Sequence, residues 1–300
     1  MIAPLKPGDT VALLSASGPC TNRERVANAV QHLNIMGLNV QVMESCRAIS
    51  GTYLAGPDSL RLNDLHQAFA NKNIKGIIMA RGGYGSGRLL PSLDYALISQ
   101  NPKLFIGFSD VTALHIALNQ MCNLGTFHGP MPYSCFGGDN INKLSALAYR
   151  DALFLPMYNP WDYCAGANLQ TLHPGTSEGK LVGGNLTVIA STIGTPYEID
   201  ITDRILFLED VGEDPYRIDR LLLQLKLANK FSKAAGVILG DFSPDGLLPL
   251  RMAITQHIMP AGIPIIGGIP AGHGDVNITL PLGKTVRIYA TDTPYVEFNI

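Results

Sequence analysis

PKLFIGFSDVTALHIAL, residues Pro102 to Leu118, changes its period in the middle. Leu104 to Phe108 is a short apolar run of the kind that forms a buried strand, and from about Val111 the apolar residues recur at helical spacing. The break falls at Ser109-Asp110, so the spacing predicts a strand-to-helix corner with Ser109 at its apex. Such a corner lifts a hydroxyl off the sheet edge and aims the first amides of the helix at whatever the hydroxyl attacks, the arrangement a nucleophilic serine needs. Val111 stands where a G-x-S-x-G elbow would carry its second glycine. The competing reading is that Ser109 or Asp110 only caps the helix.

Upstream, strands and helices alternate. Thr10 to Ala16 reads as a strand, followed by a helix through Val26, Ala29, Val30, Leu33 and Met36 that stops at Gly37. Asn39 to Met43 is a second strand, Ser50 to Pro57 a loop, and Asp58 opens a helix with Leu62, Leu65 and Phe69 on one face. A third strand, Gly76 to Ala80, runs into Arg81-Gly82-Gly83-Tyr84-Gly85-Ser86-Gly87; then come a helix through Leu97, the Ser109 unit and an apolar piece at Gly125 to Gly129. This order predicts a parallel sheet covered on both faces, with sites outside the carboxyl ends of its strands. The glycine run and Ser109 both lie at such ends.

After a helical stretch at Asn142 to Phe154, residues 156–175 lack periodicity and carry Pro156, Pro160, Gly166 and Pro174, as a linker would. The second half reads as strand Gly179 to Val182, the Gly183-Gly184-Asn185 turn, a helix to Ile193, and strand Ile205 to Leu208 ending in Glu209-Asp210. An amphipathic helix spans Pro215 to Leu227, with proline at its first turn where a missing amide costs nothing. Strands follow at Gly236 to Leu239, Ile263 to Ile266, Ile278 to Leu280, Thr285 to Tyr289 and Tyr295 to Phe298, with a helix near Leu250 to Ile258. The expected class is α/β: a Rossmann-like parallel-sheet domain over 1–155, a linker over 156–175, and a smaller mixed α+β domain over 176–300.

With 300 residues, 46% apolar and 15% charged, the chain has material for two cores. A net charge of -2 and no basic run give no electrostatic footprint for nucleic acid. Pro7-Gly8-Asp9 interrupts the opening apolar residues and no later stretch approaches the ~20 residues of a membrane span, so a cytoplasmic protein with no membrane partner is expected. The cysteines, Cys20, Cys46, Cys122, Cys135 and Cys164, are odd in number and scattered, as reduced thiols would be. H-E-x-x-H is absent and no histidine pair has ligand spacing, so no metal is expected.

The glycine run fits neither G-x-G-x-x-G nor a P-loop. It suits an oxyanion hole better, with one donor from the amide of Asp110 and another from Gly82 or Gly83. A serine also needs a base and an orienting acid. His32, His66, His115 and His257 fall in or near helices and read as packing or surface residues, and His173 falls in the linker. His128, after a strand, lines the crevice in one reading. His273 sits in a glycine-flanked loop, Gly272-His273-Gly274, where a side chain can enter a site. Glu209 arrives where apolar strand residues stop; a solvated strand end is its alternative.

Six motifs together resemble the serine LD-carboxypeptidase family, murein tetrapeptide branch, over nearly the whole chain. They are ARGGYGSGRLL (Ala80 to Leu90), GFSD-x-TAL (Gly107 to Leu114), HGPM (His128 to Met131), EGKLVGGNL (Glu178 to Leu186), LED-x-x-EDPYR-x-DR-x-LLQL (Leu208 to Leu225) and GH-x-x-x-x-x-TLPLG (Gly272 to Gly283). The resemblance implies Ser109 as nucleophile, Glu209 as orienting acid and His273 as base, at a site straddling two domains of a homodimer. It implies release of the terminal D-alanine from cytoplasmic murein tetrapeptides, with no metal or cofactor. Arg81 and Arg217 are candidates to grip the substrate carboxylate or to form structural ion pairs, and Asn185 either caps its helix or faces the substrate. Two rivals remain: a sister branch of self-immunity peptidases acting on aminoacyl-nucleotide antibiotics, whose members carry a longer insertion, and a non-catalytic small-ligand binding module.

Overall fold

Mostly buried apolar strands form the centre of the first of two compact units, Met1–Tyr158 and Asn159–Ile300. The structure, a computed structural model, describes residues 3–48, 53–138, 140–243 and 246–298. In the first unit the elements run β1 (Thr10–Leu14), α1 (Arg23–Ile35), β2 (Asn39–Val42), α2 (Asp58–Ala70), β3 (Ile74–Met79), α3 (Tyr95–Gln100), β4 (Leu104–Gly107), α4 (Thr112–Met121), β5 (Thr126–His128), α5 (Pro132–Cys135) and α6 (Lys143–Phe154). Within this unit the strands lie in the order β5-β4-β3-β1-β2, every pair parallel. The order reverses between β1 and β3. That reversal leaves a crevice at their carboxyl ends, where ligands of open α/β sheets bind.

The helices start and stop where the chain signals it. Asn22 caps α1 by accepting from the Arg25 amide at 3.1 Å, and the helix turns Ala29 and Leu33 inward. Asn142 caps α6 in the same way through Ser145. Val11, Leu13, Ile78, Ile106, Leu33 and Tyr149 meet in one core, each fully buried aliphatic contributing roughly 1.5–3 kcal/mol. Residues 50–52 of the expected loop before α2 lie outside the described residues.

The second unit comprises β6 (Gln170–His173), β7 (Gly175–Asn185), α7 (Leu186–Ser191), β8 (Arg204–Val211), α8 (Pro215–Leu227), β9 (Gly236–Ser243), α9 (Arg251–His257), β10 (Ile265–Gly267), β11 (Leu280–Leu282), β12 (Thr285–Ala290) and β13 (Tyr295–Phe298). One seven-stranded sheet has the order β13-β12-β7-β8-β9-β10-β6. Its centre, β7 to β10, is parallel, and antiparallel strands flank it. Leu181, Phe207, Ile238, Ile266, Leu280 and Ile288 share its core. The stretch 156–175, expected as an irregular linker, differs from that reading. It supplies β6, which pairs antiparallel with β10, and Trp161, which packs against this core. β6 is a half-buried edge strand, so it carries no apolar alternation to betray it.

Arg61 ties the crevice together from below. Its side chain on α2 is fully buried. Its guanidinium donates to the carbonyls of Ala16 and Gly85 and pairs with Asp58. One cation thus links the loop after β1 to the loop after β3. Replacing Arg61 by leucine leaves both carbonyls without their donor, and the expected cost is about 3 kcal/mol of stability, read by urea unfolding; an unchanged midpoint would remove Arg61 from this role.

Candidate active site

In the first unit, adjacent parallel strands β3 and β4 deliver Gly82 and Ser109 to the same edge. Ser109 has a φ of 64°, in the left-handed region that costs a non-glycine residue roughly 1–2 kcal/mol. A 3-10 turn, Ser109–Val111, carries the chain from that corner directly into α4. Gly82 lies against the serine so closely that an added Cβ would sit 2.9 Å from both Ser109 Oγ and Cβ. Only glycine fits there.

Asp110 fastens the glycine run to this corner. Its carboxylate accepts from the Ser86 amide at 2.8 Å and from the Ser17 hydroxyl, while the Ser86 hydroxyl donates to the Asp110 carbonyl. The Gly18 amide donates to the Gly82 carbonyl at 3.0 Å. The loops after β1, β3 and β4 are therefore one hydrogen-bonded assembly around Ser109. Beneath it, His115 is fully buried between Thr126 Oγ1 and the Gly107 carbonyl, each 2.9 Å away. Burial drives its pKa down to about 3, so this imidazole stays neutral and serves packing.

In the second unit the carboxyl ends of the parallel strands gather Asn185, Glu209 and Asp241. Glu209 is fully buried on β8 and its Oε2 lies 2.7 Å from His273 Nδ1. With Nδ1–H donating to the carboxylate, a neutral imidazole presents Nε2 as an acceptor. Burial disfavours the charged ring, but the hydrogen bond and charge of Glu209, with Asp210 and Asp241, outweigh it and raise the His273 pKa above its ordinary value. The flanking glycines are required by close approach. Gly272 has a φ of 132°, and a Cβ on it would meet Glu209 Oε2 at 2.8 Å; one on Gly274 would meet the Asp241 carboxyl carbon at 2.9 Å.

Asp210 follows Glu209 on β8, at an irregularity in its pairing with β9. It accepts from Asn185 Nδ2 at 3.0 Å, from the Thr187 amide and hydroxyl at 2.9 and 2.8 Å, and from the Val211 amide at 2.8 Å; burial still raises its pKa against these bonds. Asn185 Oδ1 caps α7 through the Val188 amide at 3.1 Å. Arg81 donates to the Pro19 carbonyl at 2.7 Å and lies 5.6 Å over the Tyr133 ring, so its guanidinium braces the loop after β1. Arg217 is exposed on the first turn of α8, beside Glu213 and Asp214. His128 is fully buried, its ring 5.8 Å from that of Phe108, and does not line the crevice. Sequence reasoning missed Asp241, although it too follows an apolar strand, as well as Ser17, Ser86 and Arg61. Among the described residues, no group of three or more His, Cys, Asp or Glu side chains could hold a metal ion.

Two measurements follow from this geometry. Glycine at position 109 removes the left-handed penalty but adds unfolded-state freedom, so Ser109→Gly is expected to be more stable than Ser109→Ala by about 0.5–1 kcal/mol; equal stabilities would deny the strain. Because the folded His273 pKa is raised, its pairing stabilises fully below the ordinary histidine value and the contribution is lost as pH rises through the folded pKa. In NMR titrations the His273 resonance is expected to titrate above the ordinary value, near 6.5, and lower in Glu209→Gln. The stability gap between parent and variant should then narrow from acid to alkaline pH.

Residues 11–129 match the LD-carboxypeptidase N-terminal domain and residues 178–288 the LD-carboxypeptidase C-terminal domain. A probable murein peptide carboxypeptidase of Bacillus subtilis is 37% identical, over 99% of this chain and 94% of its own. Among solved structures, an MccF-like protein from Bacillus anthracis superposes with a TM-score of 0.88 at 28% identity, over 99% of this chain and 98% of that one. A muramoyltetrapeptide carboxypeptidase from Oxalobacter formigenes gives 0.82 at 28% identity, over 96% and 97%. With both domains matched in order and a relative at 37% identity over 94% of its length, the chain belongs to the LD-carboxypeptidase family.

Proposed function

We propose that this protein is a serine carboxypeptidase that releases the terminal D-alanine from murein tetrapeptides, cutting the bond between an L-centre and that D-residue. The observation that carries the reading is the buried Glu209–His273 pair, 2.7 Å between Oε2 and Nδ1, in a chain of this family whose Ser109 occupies a left-handed strand-to-helix corner. Relatives named for murein peptides support the substrate class.

In the proposed mechanism His273 Nε2 takes the Ser109 proton as Oγ attacks the carbonyl of the third residue. The amides of Asp110 and of Gly82 or Gly83 hold the resulting oxyanion; one such donor is worth about 3 kcal/mol of barrier. The imidazolium, steadied by Glu209, gives its proton to the departing amine of D-alanine. Water then adds to the acyl-enzyme with His273 again as base and frees Ser109. No step calls on a metal or cofactor. Arg81 and Arg217 are the proposed partners of the substrate carboxylate, and Arg81 would have to exchange its Pro19 contact for that role. The proposed setting is a cytoplasmic homodimer acting in peptidoglycan recycling; no helix among the described residues is long and apolar enough to cross a membrane.

A second reading, cleavage of aminoacyl-nucleotides, has its support in a structure of MccF in complex with aspartyl sulfamoyl adenosine, which superposes with a TM-score of 0.87 at 25% identity; this chain covers 98% of it, so the longer insertion expected of that branch does not separate the two.

Mass spectrometry of L-Ala-D-Glu-diaminopimelate-D-Ala incubated with the protein is expected to show loss of one alanine, and none with Ser109→Ala. An untouched tetrapeptide would overturn the reading and direct attention to aminoacyl-nucleotides. Since a base must be neutral, kcat/KM is expected to fall as pH drops through the raised His273 pKa; an acid limb below the ordinary histidine value would remove His273 as the base.

A further inference from the structure

Four of the first unit's five lysines surround one cavity. Lys6, Lys72, Lys75 and Lys103 line a space of about 500 Å³, and only Lys143 stands apart. The four come from three separated segments, those that lead into or open β1, β3 and β4. The cavity therefore lies at the amino ends of these strands, the end of the sheet opposite Ser109.

Lysines near the end of a helix ordinarily serve its last carbonyls, and such bonds are present here. Lys103 is 7% exposed, and its Nζ donates to the carbonyls of Asn71, just past α2, and Ile74, at 2.8 and 2.6 Å. Lys75 Nζ donates to the Lys72 carbonyl at 2.8 Å. Carbonyl oxygens fix these ammonium groups and leave their charge in place. Among the described residues no carboxylate forms an ion pair with any of the four lysines. The one acid in the lining is Asp9, which accepts from the Lys6 amide at 2.8 Å. Four ammonium groups against one carboxylate leave a formal excess of three positive charges, in a chain whose net charge is -2. Burial, and repulsion from Lys75, lower the Lys103 pKa, so gathering these cations carries a cost in the folded chain. An anion seated among them reverses that cost.

Ammonium groups bind phosphate as point charges. Two linked phosphoryl groups match several cations spread around a cavity, where a single carboxylate does not. The volume falls within the range of small-molecule sites, about 300–1,000 Å³, and Pro4 and Pro102 give it apolar wall. We propose that this cavity is a binding site for a small molecule bearing a diphosphate group, with the diphosphate held by the four lysines and any organic substituent resting on Pro4 and Pro102.

The test is isothermal titration of the protein, at low ionic strength and without divalent cations, with ADP, pyrophosphate and inorganic phosphate. The parent is expected to bind at least one of the two diphosphates at one site per chain, about tenfold or more tighter than phosphate. ADP binding tighter than pyrophosphate would assign an organic diphosphate, and equal affinities an inorganic one. Lys72 and Lys75 are exposed, so their variants are expected to fold. Lys72→Gln and Lys75→Gln should each weaken binding roughly tenfold, the loss of one charge-assisted contact. Lys75→Arg, which keeps the charge, should retain most of the affinity, and Lys143→Gln all of it. Neither diphosphate binding, phosphate binding as tightly as they do, or an affinity unmoved in the Lys72→Gln/Lys75→Gln double variant overturns the proposal. So does an equal loss in Lys143→Gln, which would report only the overall charge of the chain.

Discussion

One carboxylate organises the loops around Ser109 in the first unit. Asp110 is buried beside Ser109 and receives the Ser86 amide and the Ser17 hydroxyl, so the loops that follow three different strands share one acceptor. Its neighbour's backbone depends on that anchorage. A serine at a φ of 64° persists only where surroundings over-determine it, and here Gly82 closes on one side while α4 begins immediately on the other. The fold prepares this, because a parallel sheet puts the ends of β1, β3 and β4 at one edge. Without the Asp110 links, the glycine run would be an ordinary surface turn.

The second unit solves a different problem. An acid and an imidazole must be buried deeply enough to interact strongly, yet burial by itself would neutralise the ring. The Glu209–His273 hydrogen bond, with Asp210 and Asp241 near it, tips the balance toward the protonated form. The two glycines around His273 make this possible sterically, since each lies where a side chain would collide with one of the acids. The raised pKa is therefore a property of how closely three segments pack.

Much of this was legible in the chain. Buried parallel strands are continuous apolar runs, so β1, β3, β4, β8 and β9 announce themselves, and Pro215 marks the start of α8 to the residue. Ser109 was visible as a change of period, His273 as a histidine between glycines. What stayed hidden lacks a local signature. β6 and the first residues of β7 are half-exposed edge backbone with mixed polarity. Ser17, Ser86 and Arg61 gain their importance from partners distant in sequence, and Asp241 from its contact with glycines that follow a later strand. Asn185, ambiguous as a motif residue, has its side chain spent on the Val188 amide and Asp210.

Arg61 does its work from α2, one layer removed from the serine, and Asp58 on the same helix binds both Arg61 and Arg88. One nitrogen of the Arg61 guanidinium serves both carbonyls while the other meets Asp58, so a single rigid, permanently charged group holds three partners at once. The arrangement of the loops after β1 and β3 therefore carries an obligation written on a helix outside them. Directed changes at Asp58 would adjust the loops around Ser109 from outside, a handle on their shape that leaves Ser109 itself as it is.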